Sequence, residues 1–146
     1  MIIYTIGFTK RTAKEFFDTI HSETVDLLID IRLNNTSQLA GFTKSGDIEY
    51  FLEKICSCKY DHDPALAPTK EILNDYKKGI IDWEEYSERF LQLMQQRSMV
   101  ESFVKKYISY EKVCLLCSEL SPVNCHRRLV AETLNSKNPA WEIRHL

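Results

Sequence analysis

Short apolar runs along the chain predict the strands of a buried sheet. Residues 2–6 and 26–31 are continuous runs rich in Ile and Leu, and residues 113–117 form the clearest run of this kind. A strand that is apolar at every position is buried on both faces, as in a parallel sheet with helices on each side. Residues 58–62 alternate as in a short edge strand, and residues 141–145 predict a last strand.

Amphipathic segments between these runs predict the helices. A capping box at Thr12 and Glu15 opens the first of them. The same periodicity marks three later segments, at residues 48–55, at 69 to about 107, and from 125 or 126 to 134. Within the long segment Gly79 ends one helix and Asp82 caps the next. We expect the aromatic and charged residues there to form core and solvated faces rather than a binding surface.

The alternation of strands and helices predicts the fold class. We expect an α/β protein, a three-layer Rossmann-like sandwich with a mostly parallel central sheet flanked by helices. A chain of 146 residues is close to the commonest domain size, so one domain over residues 1–146 is predicted. The polar residues 33–46, rich in Ser, Thr and Asn, predict an exposed loop after the second strand, with a lid as one use for it.

Composition and charge narrow the class of protein. The chain is 44% hydrophobic and 27% charged, which is ordinary for a globular protein. A formal net charge of −2 removes any global argument for a nucleic-acid or anionic-membrane partner, although a local basic patch is compatible with it. No signal peptide or membrane span is recognised, and five cysteines are an odd count, so we expect a cytoplasmic protein with reduced thiols and no membrane partner.

Candidate functional residues follow the predicted strands. In open α/β sheets ligands bind at the carboxyl ends of the strands, and here Gly7 and Thr9 follow the first strand. Asp30 and Arg32 end the second and are two residues apart, so their side chains share a face and either hold a ligand or form an ion pair with each other. Gly7, Thr9 and Arg32 are predicted to bind substrate, and Asp30 to act as an acid or base.

The segment 117–128 is the richest in polar chemistry, because it runs from a strand end into the start of a helix. A helix N-terminus presents free amides and a partial positive charge, and Arg127 and His126 lie beside it, so an anionic ligand group is the predicted occupant. The same field lowers the pKa of a first-turn cysteine, which makes Cys125 a candidate thiolate. The alternative is that Cys125 is a small buried hydrophobe.

Glu119 lies two residues after Cys117, so both side chains project to one side if the strand geometry continues. Cys117 is then a candidate nucleophile and Glu119 a candidate general base. Alternatively, Glu119 bonds the amides of the following helix or pairs with Arg127, and is a structural brace.

A metal site is considered for Cys114, Cys117, Cys125 and His126, which together offer three sulfurs and an imidazole. In a strand, residues three apart point to opposite faces, so Cys114 and Cys117 cannot hold one ion together. No metal is therefore predicted, and the sequence specifies neither a cofactor nor an oligomeric state.

These motifs resemble, in order and over nearly the whole chain, a family catalogued as domain of unknown function 488. The matching segments are Tyr4-Thr5-Ile6-Gly7, Leu28-Ile29-Asp30-Ile31-Arg32, Gly41-Phe42, Leu116-Cys117-Ser118-Glu119 and Cys125-His126-Arg127. The pattern Cys-x-Glu followed by Cys-His-Arg is the hallmark of that family. The resemblance implies an α/β fold with a clustered polar site, and it implies no established activity.

One departure from the family pattern bears on mechanism. Members often carry Gly-His-Ser after the first strand, where this chain has Gly7-Phe8-Thr9. A mechanism that needs that histidine is therefore in doubt here, whereas the Thr9 hydroxyl retains the role of the serine.

Three functional hypotheses follow. The first is a small hydrolase or transferase for a phosphorylated or nucleotide-like substrate or a nucleic-acid component, with Cys117 or Cys125 as nucleophile and Glu119 or Asp30 as acid or base. The second is a non-catalytic module that binds an anion or nucleic acid in the same cleft. The third is a structural lock between the last strands and helix.

Overall fold

A parallel sheet runs through the centre of the protein. The structure is a computed structural model, and it describes residues 1–38 and 40–146. Within these residues the sheet has five strands in the order β3-β2-β4-β1-β5, and every neighbouring pair is parallel. The strands are β1 (Ile2–Gly7), β2 (Leu27–Asp30), β3 (Lys59–His62), β4 (Lys112–Cys117) and β5 (Glu142–His145). The predicted parallel sheet is confirmed, with β3 as an edge strand.

Six α-helices are formed by the described residues: α1 (Ala13–Ser22), α2 (Asp47–Phe51), α3 (Lys70–Lys77), α4 (Trp83–Gln96), α5 (Met99–Tyr107) and α6 (His126–Lys137). The helix predicted at 48–55 begins as α2 and continues as a π-helical turn, Leu52–Cys56. Among the described residues, no helix is long and apolar enough to cross a bilayer.

The predicted capping residues begin and end these helices. Thr12 and Glu15 form the reciprocal capping box of α1, in which the Glu15 amide donates to Thr12 Oγ1 at 3.2 Å and the Thr12 amide donates to Glu15 Oε2 at 2.8 Å. Asp82 caps α4 by accepting from the Glu85 amide at 2.9 Å. Gly79 follows α3 at a φ of 69°, a left-handed conformation that glycine adopts without strain.

Helices cover both faces of the sheet and produce two core clusters. On one face, Phe16 and Ile20 of α1 pack with residues of α2 against the side chains of Tyr4 and Leu28. On the other face, the inner sides of α4, α5 and α6 pack against the alternate strand residues, such as Ile29. This arrangement confirms the predicted three-layer α/β architecture.

The connections out of β2 and β4 go to opposite faces of the sheet. The chain leaves β2 toward α2 on the first face, and it leaves β4 toward α6 on the second face. Because β2 and β4 are adjacent, a crevice opens between their carboxyl ends. The loop predicted at residues 33–46 begins here, although Leu39 within it lies outside the described residues.

Candidate functional site

A cavity of about 350 Å³ lies in this crevice. Its walls come from the loop after β2, from the segment between β4 and α6, and from α3 and α4. The lining residues are Arg32, Leu33, Asn34, Pro68, Leu73, Tyr76, Lys77, Tyr86, Cys117, Ser118, Glu119, Asn124, Cys125 and His126. The carboxyl-end location predicted for the site therefore coincides with a real cavity.

Three cavity-lining side chains, which we call the thiol–imidazole cluster, are brought together by β4 and α6. They are Cys117, Cys125 and His126, and their sulfur and ring nitrogen atoms all lie within 4.8 Å of one another. All three are buried, with exposed fractions of 6%, 3% and 7%. Cys117 is the last residue of β4, whereas Cys125 is the N-cap of α6 and His126 its first residue. The strand end and the helix start thus deliver these groups to one point.

The imidazole of His126 is held in one orientation. Its Nε2 lies 2.9 Å from the carbonyl oxygen of Ile31, just beyond β2, so this nitrogen carries the proton and donates it. Nδ1 then faces Cys117, whose Sγ lies 3.6 Å away. A thiol paired with an oriented imidazole is the arrangement that activates a nucleophilic cysteine.

The pKa values of the two thiols of the cluster shift in opposite directions. The hydrogen bond donated by Cys125, the charge of His126 and the Glu119 amide lower the pKa of Cys117 well below its ordinary value, against the effect of burial. Donating that hydrogen bond raises the pKa of Cys125, and burial raises it further. Burial alone would lower the pKa of His126, but the adjacent Cys117 thiolate raises it.

These shifts bear on the prediction for Cys125. Its position at the start of α6 predicted that Cys125 would be the thiolate, whereas its contact with Cys117 and its burial raise its pKa. The Arg127 amide lowers the pKa of Cys125 only weakly by comparison. The directions of the two shifts favour Cys117 as the thiolate, which the sequence also offered as a nucleophile, and the thiolate role of Cys125 stays a prediction.

Asp30 and Arg32 form a buried ion pair beside the cavity. Arg32 Nε and Nη2 donate to the two oxygens of Asp30 at 2.8 and 2.6 Å, and the Arg32 amide donates to Oδ1 at 3.1 Å. Tyr60 donates to Oδ2 at 2.8 Å, while Arg32 Nη2 also donates to the carbonyl of Thr43 at 2.7 Å. Of the two alternatives for this pair, the structure shows the ion pair. Arg32 lines the cavity with most of its donors occupied, and Asp30 does not line it.

Arg127 is buried completely and supports the loop between β4 and α6. Its Nη1 donates to the main-chain carbonyl of Glu119, and its Nη2 donates to that of Leu120 at 2.8 Å. The guanidinium does not line the cavity, and its Nε has no hydrogen-bond partner among the described residues. The anion-binding role predicted for Arg127 stays a prediction, because the two hydrogen bonds of its side chain go to carbonyls of the loop between β4 and α6.

Glu119 and Thr9 lie near the same loop but are exposed. Glu119 lines the cavity, and its main-chain carbonyl accepts a hydrogen bond from Arg127. The Thr9 side chain and amide both donate to the carbonyl of Ser118, so Thr9 holds the loop and does not line the cavity. The general-base role of Glu119 and the ligand contact of Thr9 stay predictions.

Gly7, the last residue of β1, is packed directly beneath this loop. A Cβ at this position would overlap the carbonyl group of Glu119 and would lie 2.7 Å from Nη1 of Arg127. Glycine is therefore required here by the close approach of the loop. Gly7 shapes the site by letting the loop sit on β1, and it is not among the cavity-lining residues.

Gly7→Ala is expected to destabilise the protein by at least about 2 kcal/mol, because the added methyl group overlaps backbone that has no room to move. Urea unfolding followed by circular dichroism measures the change. Gly41→Ala is the matched control, since a Cβ at Gly41 meets nothing within 4 Å. Equal stabilities for the two variants would show that the loop does not pack on Gly7 in solution.

The helices α3 and α4 contribute a wall that the sequence did not predict. Residues 69–107 were expected to form only core and solvated faces, but Tyr76 and Lys77 of α3 and Tyr86 of α4 line the cavity. The rings of Tyr76 and Tyr86 lie 4.9 Å apart. No local motif marks these residues, because helical periodicity is the same for a residue that faces the cavity as for one that faces the core.

The prediction that Cys114 and Cys117 cannot bind one ion together is confirmed, but it leaves the other potential ligands unaddressed. Cys114 and Cys117 do face opposite sides of β4, since Cys114 packs in the core cluster with Tyr4 whereas Cys117 lines the cavity. A group of three potential ligands nevertheless remains without Cys114, namely the thiol–imidazole cluster.

Comparison with known proteins identifies the family. The model of the family described as Domain of unknown function DUF488 matches residues 12–134, which is well over half of the 146 residues. No curated protein and no solved structure matches the chain. The protein therefore belongs to the DUF488 family, as the order of its motifs predicted.

Proposed function

We propose that this protein is a small cysteine-dependent hydrolase or transferase that acts on a phosphorylated or nucleotide-like substrate or a nucleic-acid component. The observation that carries the proposal is the contact of 3.6 Å between Cys117 Sγ and His126 Nδ1 at a cavity large enough for a small ligand. The family assignment adds no activity of its own.

The chemistry assigned to the cluster is nucleophilic substitution. Cys117 sulfur, with its proton on His126 Nδ1, forms a bond to an electrophilic carbon or phosphorus of the substrate. The bond to the leaving group breaks with its electron pair on the leaving group, which takes the proton from Nδ1. Water or an acceptor hydroxyl then displaces the sulfur and gives its proton to His126 Nδ1, which regenerates the free enzyme with its thiolate and protonated imidazole.

His126 accepts that proton, and Glu119 lies at the same cavity. His126 is neutral once the leaving group has departed, and its Nδ1 faces the sulfur to which the substrate is attached. Glu119 is exposed and lines the same cavity. We assign the orientation of the incoming water to Glu119, and the general-base role predicted for Glu119 stays a prediction.

The substrate class follows from the charges and rings that face the cavity. The N-terminus of α6 lies at the cluster, and the exposed residue Lys77 of α3 also lines the cavity, so both favour an anionic group. Tyr76 and Tyr86 offer aromatic surface for a base or another flat ring. A phosphorylated ligand with a ring, such as a nucleotide, matches both features.

Asp30, Arg32 and Arg127 have positioning roles in this account. The ion pair between Asp30 and Arg32 fixes the backbone beyond β2, whose Ile31 carbonyl orients His126. Arg127 fixes the loop that carries Glu119. The cluster is thereby held in place before a substrate arrives. We place this chemistry in the cytoplasm, because a free nucleophilic thiol needs reducing surroundings.

A thermal-shift panel of phosphate, nucleosides, nucleotides, sugar phosphates and short oligonucleotides tests the substrate class. A ligand at about one hundred times its Kd stabilises the fold by about 2.7 kcal/mol, which is several degrees in Tm.

Lys77→Ala is expected to raise the Kd of the active compounds about 3- to 10-fold, because it removes a cation at the cavity wall. Lys78→Ala is the control, since Lys78 is also exposed but does not line the cavity.

The compounds that shift Tm are then incubated with the wild type and assayed for product. Turnover by the wild type supports the proposal. A ligand that binds but is never converted supports the non-catalytic module instead. If no compound shifts Tm, the proposed substrate class is wrong.

A further inference from the structure

We propose that the thiol–imidazole cluster is also a binding site for Zn²⁺, with Cys117 Sγ, Cys125 Sγ and His126 Nδ1 as the three protein ligands. These are soft sulfur and imidazole donors, which suit zinc rather than magnesium or calcium. Two thiolates and one histidine, with a fourth position left open, are a known ligand set of zinc in proteins.

The spacing of the donor atoms fits tetrahedral coordination. Zinc binds sulfur at about 2.3 Å and nitrogen at about 2.0–2.1 Å, so a tetrahedral angle places the two ligand atoms about 3.6 Å apart. The observed distance from Cys117 Sγ to His126 Nδ1 is 3.6 Å. Cys125 Sγ lies within 4.8 Å of both atoms, so a small movement of one side chain completes the set.

The surroundings of the ligands match those of a metal site. A metal-binding histidine usually donates its second ring nitrogen to a carbonyl or carboxylate, and His126 Nε2 faces the Ile31 carbonyl at 2.9 Å. Zinc binds cysteine as the thiolate, so uptake of the ion releases the protons that the cluster holds in the metal-free protein. Two thiolates balance the charge of Zn²⁺, so the bound ion adds no net charge beside the buried Arg127.

The fourth position faces the cavity. All three ligands are cavity-lining residues, so a bound ion is open to water or to a donor atom of a small ligand on that side. The opposite side is closed by the sheet and by Phe90, whose ring lies 5.6 Å from that of His126. The site therefore holds zinc without enclosing it.

Zinc binding and the thiol chemistry exclude each other. A Cys117 sulfur bound to zinc is not free to attack a substrate, and an Nδ1 bound to zinc carries no proton for the leaving group. Zinc is therefore expected to inhibit the thiol chemistry of Cys117, and a chelator is expected to restore that activity. This consequence rests on the proposed function, whereas the metal site itself does not.

The test is a titration of reduced, metal-free protein with Zn²⁺ in competition with a chromophoric chelator. We expect one ion per chain with a Kd of about 1 µM or tighter, and a Kd about 100-fold weaker for Cys125→Ser, which keeps the size of the side chain but loses a thiolate. Cys114→Ala is the control on the other face of β4 and should bind like the wild type. Co²⁺ in place of Zn²⁺ should give a thiolate-to-metal charge-transfer absorption in wild type that Cys125→Ser weakens.

Alkylation of Cys117 with and without zinc separates the two proposals. Protection of Cys117 by at least about 10-fold in the zinc-loaded protein supports the metal site. Equal zinc affinity in wild type and Cys125→Ser, or no binding of one ion per chain, would overturn it, even if Cys117 of the metal-free protein is reactive. Zinc binding by a protein whose metal-free Cys117 is inert supports the site and counts against the proposed function.

Discussion

Cys117→Ser is expected to lower turnover by about 10³-fold or more while leaving ligand binding intact. Removing the nucleophile of a covalent mechanism abolishes the intermediate, and a serine hydroxyl is a far weaker nucleophile than a thiolate at neutral pH. Binding should persist because serine is close in size to cysteine and the walls of the cavity are unchanged. The measurement is the rate of conversion of the compound found by the thermal-shift panel, together with its Tm shift.

Cys114→Ala is the matched control for this variant. Cys114 lies on the same strand, but its side chain is in the opposite core layer, so its loss should affect stability and not turnover. If Cys117→Ser retains more than about one tenth of the wild-type rate, Cys117 is not the nucleophile. If Cys117→Ser also loses ligand binding, the substitution has changed the shape of the cavity. The comparison with Cys114→Ala then shows how much of the lost turnover is structural.

Asp30→Ala is expected to lower the free energy of unfolding by about 3–5 kcal/mol. The substitution leaves the buried guanidinium of Arg32 without its carboxylate, and one unpaired buried charge costs far more than a lost surface pair. Arg32 has an exposed fraction of only 4%, so water cannot replace the lost contacts. Urea unfolding measures the change, and loss of the Arg32 anchor should also loosen the carbonyl that orients His126.

Two comparisons make this result specific. Asp18→Ala removes the carboxylate of the exposed pair between Lys14 and Asp18, and it should cost less than about 0.5 kcal/mol. The double variant Asp30→Ala with Arg32→Met removes both charges, and it should regain part of the stability lost by Asp30→Ala alone. A loss for Asp30→Ala no larger than that for Asp18→Ala would mean that the pair is hydrated in solution.

The sheet and most helices were predictable because each depends on local patterns. The all-apolar runs of β1, β2 and β4 require burial on two faces, and that requirement is met by a parallel sheet between helices. Thr12, Gly79 and Asp82 act within one turn of their own helices, so their roles are visible in the sequence.

The location of the candidate site was predictable from the same patterns, but the contacts within it were not. Strand ends of a parallel sheet meet at one edge, which places Cys117, Arg32 and the start of α6 together. Whether a charged side chain at that edge faces a ligand or the protein depends on its neighbours in space. The sequence indicates an anion-binding role for Arg127, yet the side chain is buried beneath a loop whose path no local sequence pattern predicts.

The pairing of His126 with Cys117 could not be predicted from the sequence, because it depends on the three-dimensional fold. The two residues are nine positions apart, in a strand and in a helix, and their contact depends on the path of the loop between them. His126 was predicted as a substrate-binding residue because it begins a helix. Its orientation is set by the Ile31 carbonyl, which is 95 residues away in the chain.

The reactivity of Cys117 in the metal-free protein tests the central claim most directly. The protein is treated with iodoacetamide in the presence of a chelator, and the modified cysteines are followed over time by peptide mass spectrometry. Cys56 is an internal reference, because its exposed fraction is 7% against 6% for Cys117, but its thiol donates to the Phe17 carbonyl at 3.4 Å rather than facing an imidazole. We predict that Cys117 is alkylated at least about 10-fold faster than Cys56. A Cys117 that reacts no faster than Cys56 would contradict the claim that this cavity holds an activated nucleophile.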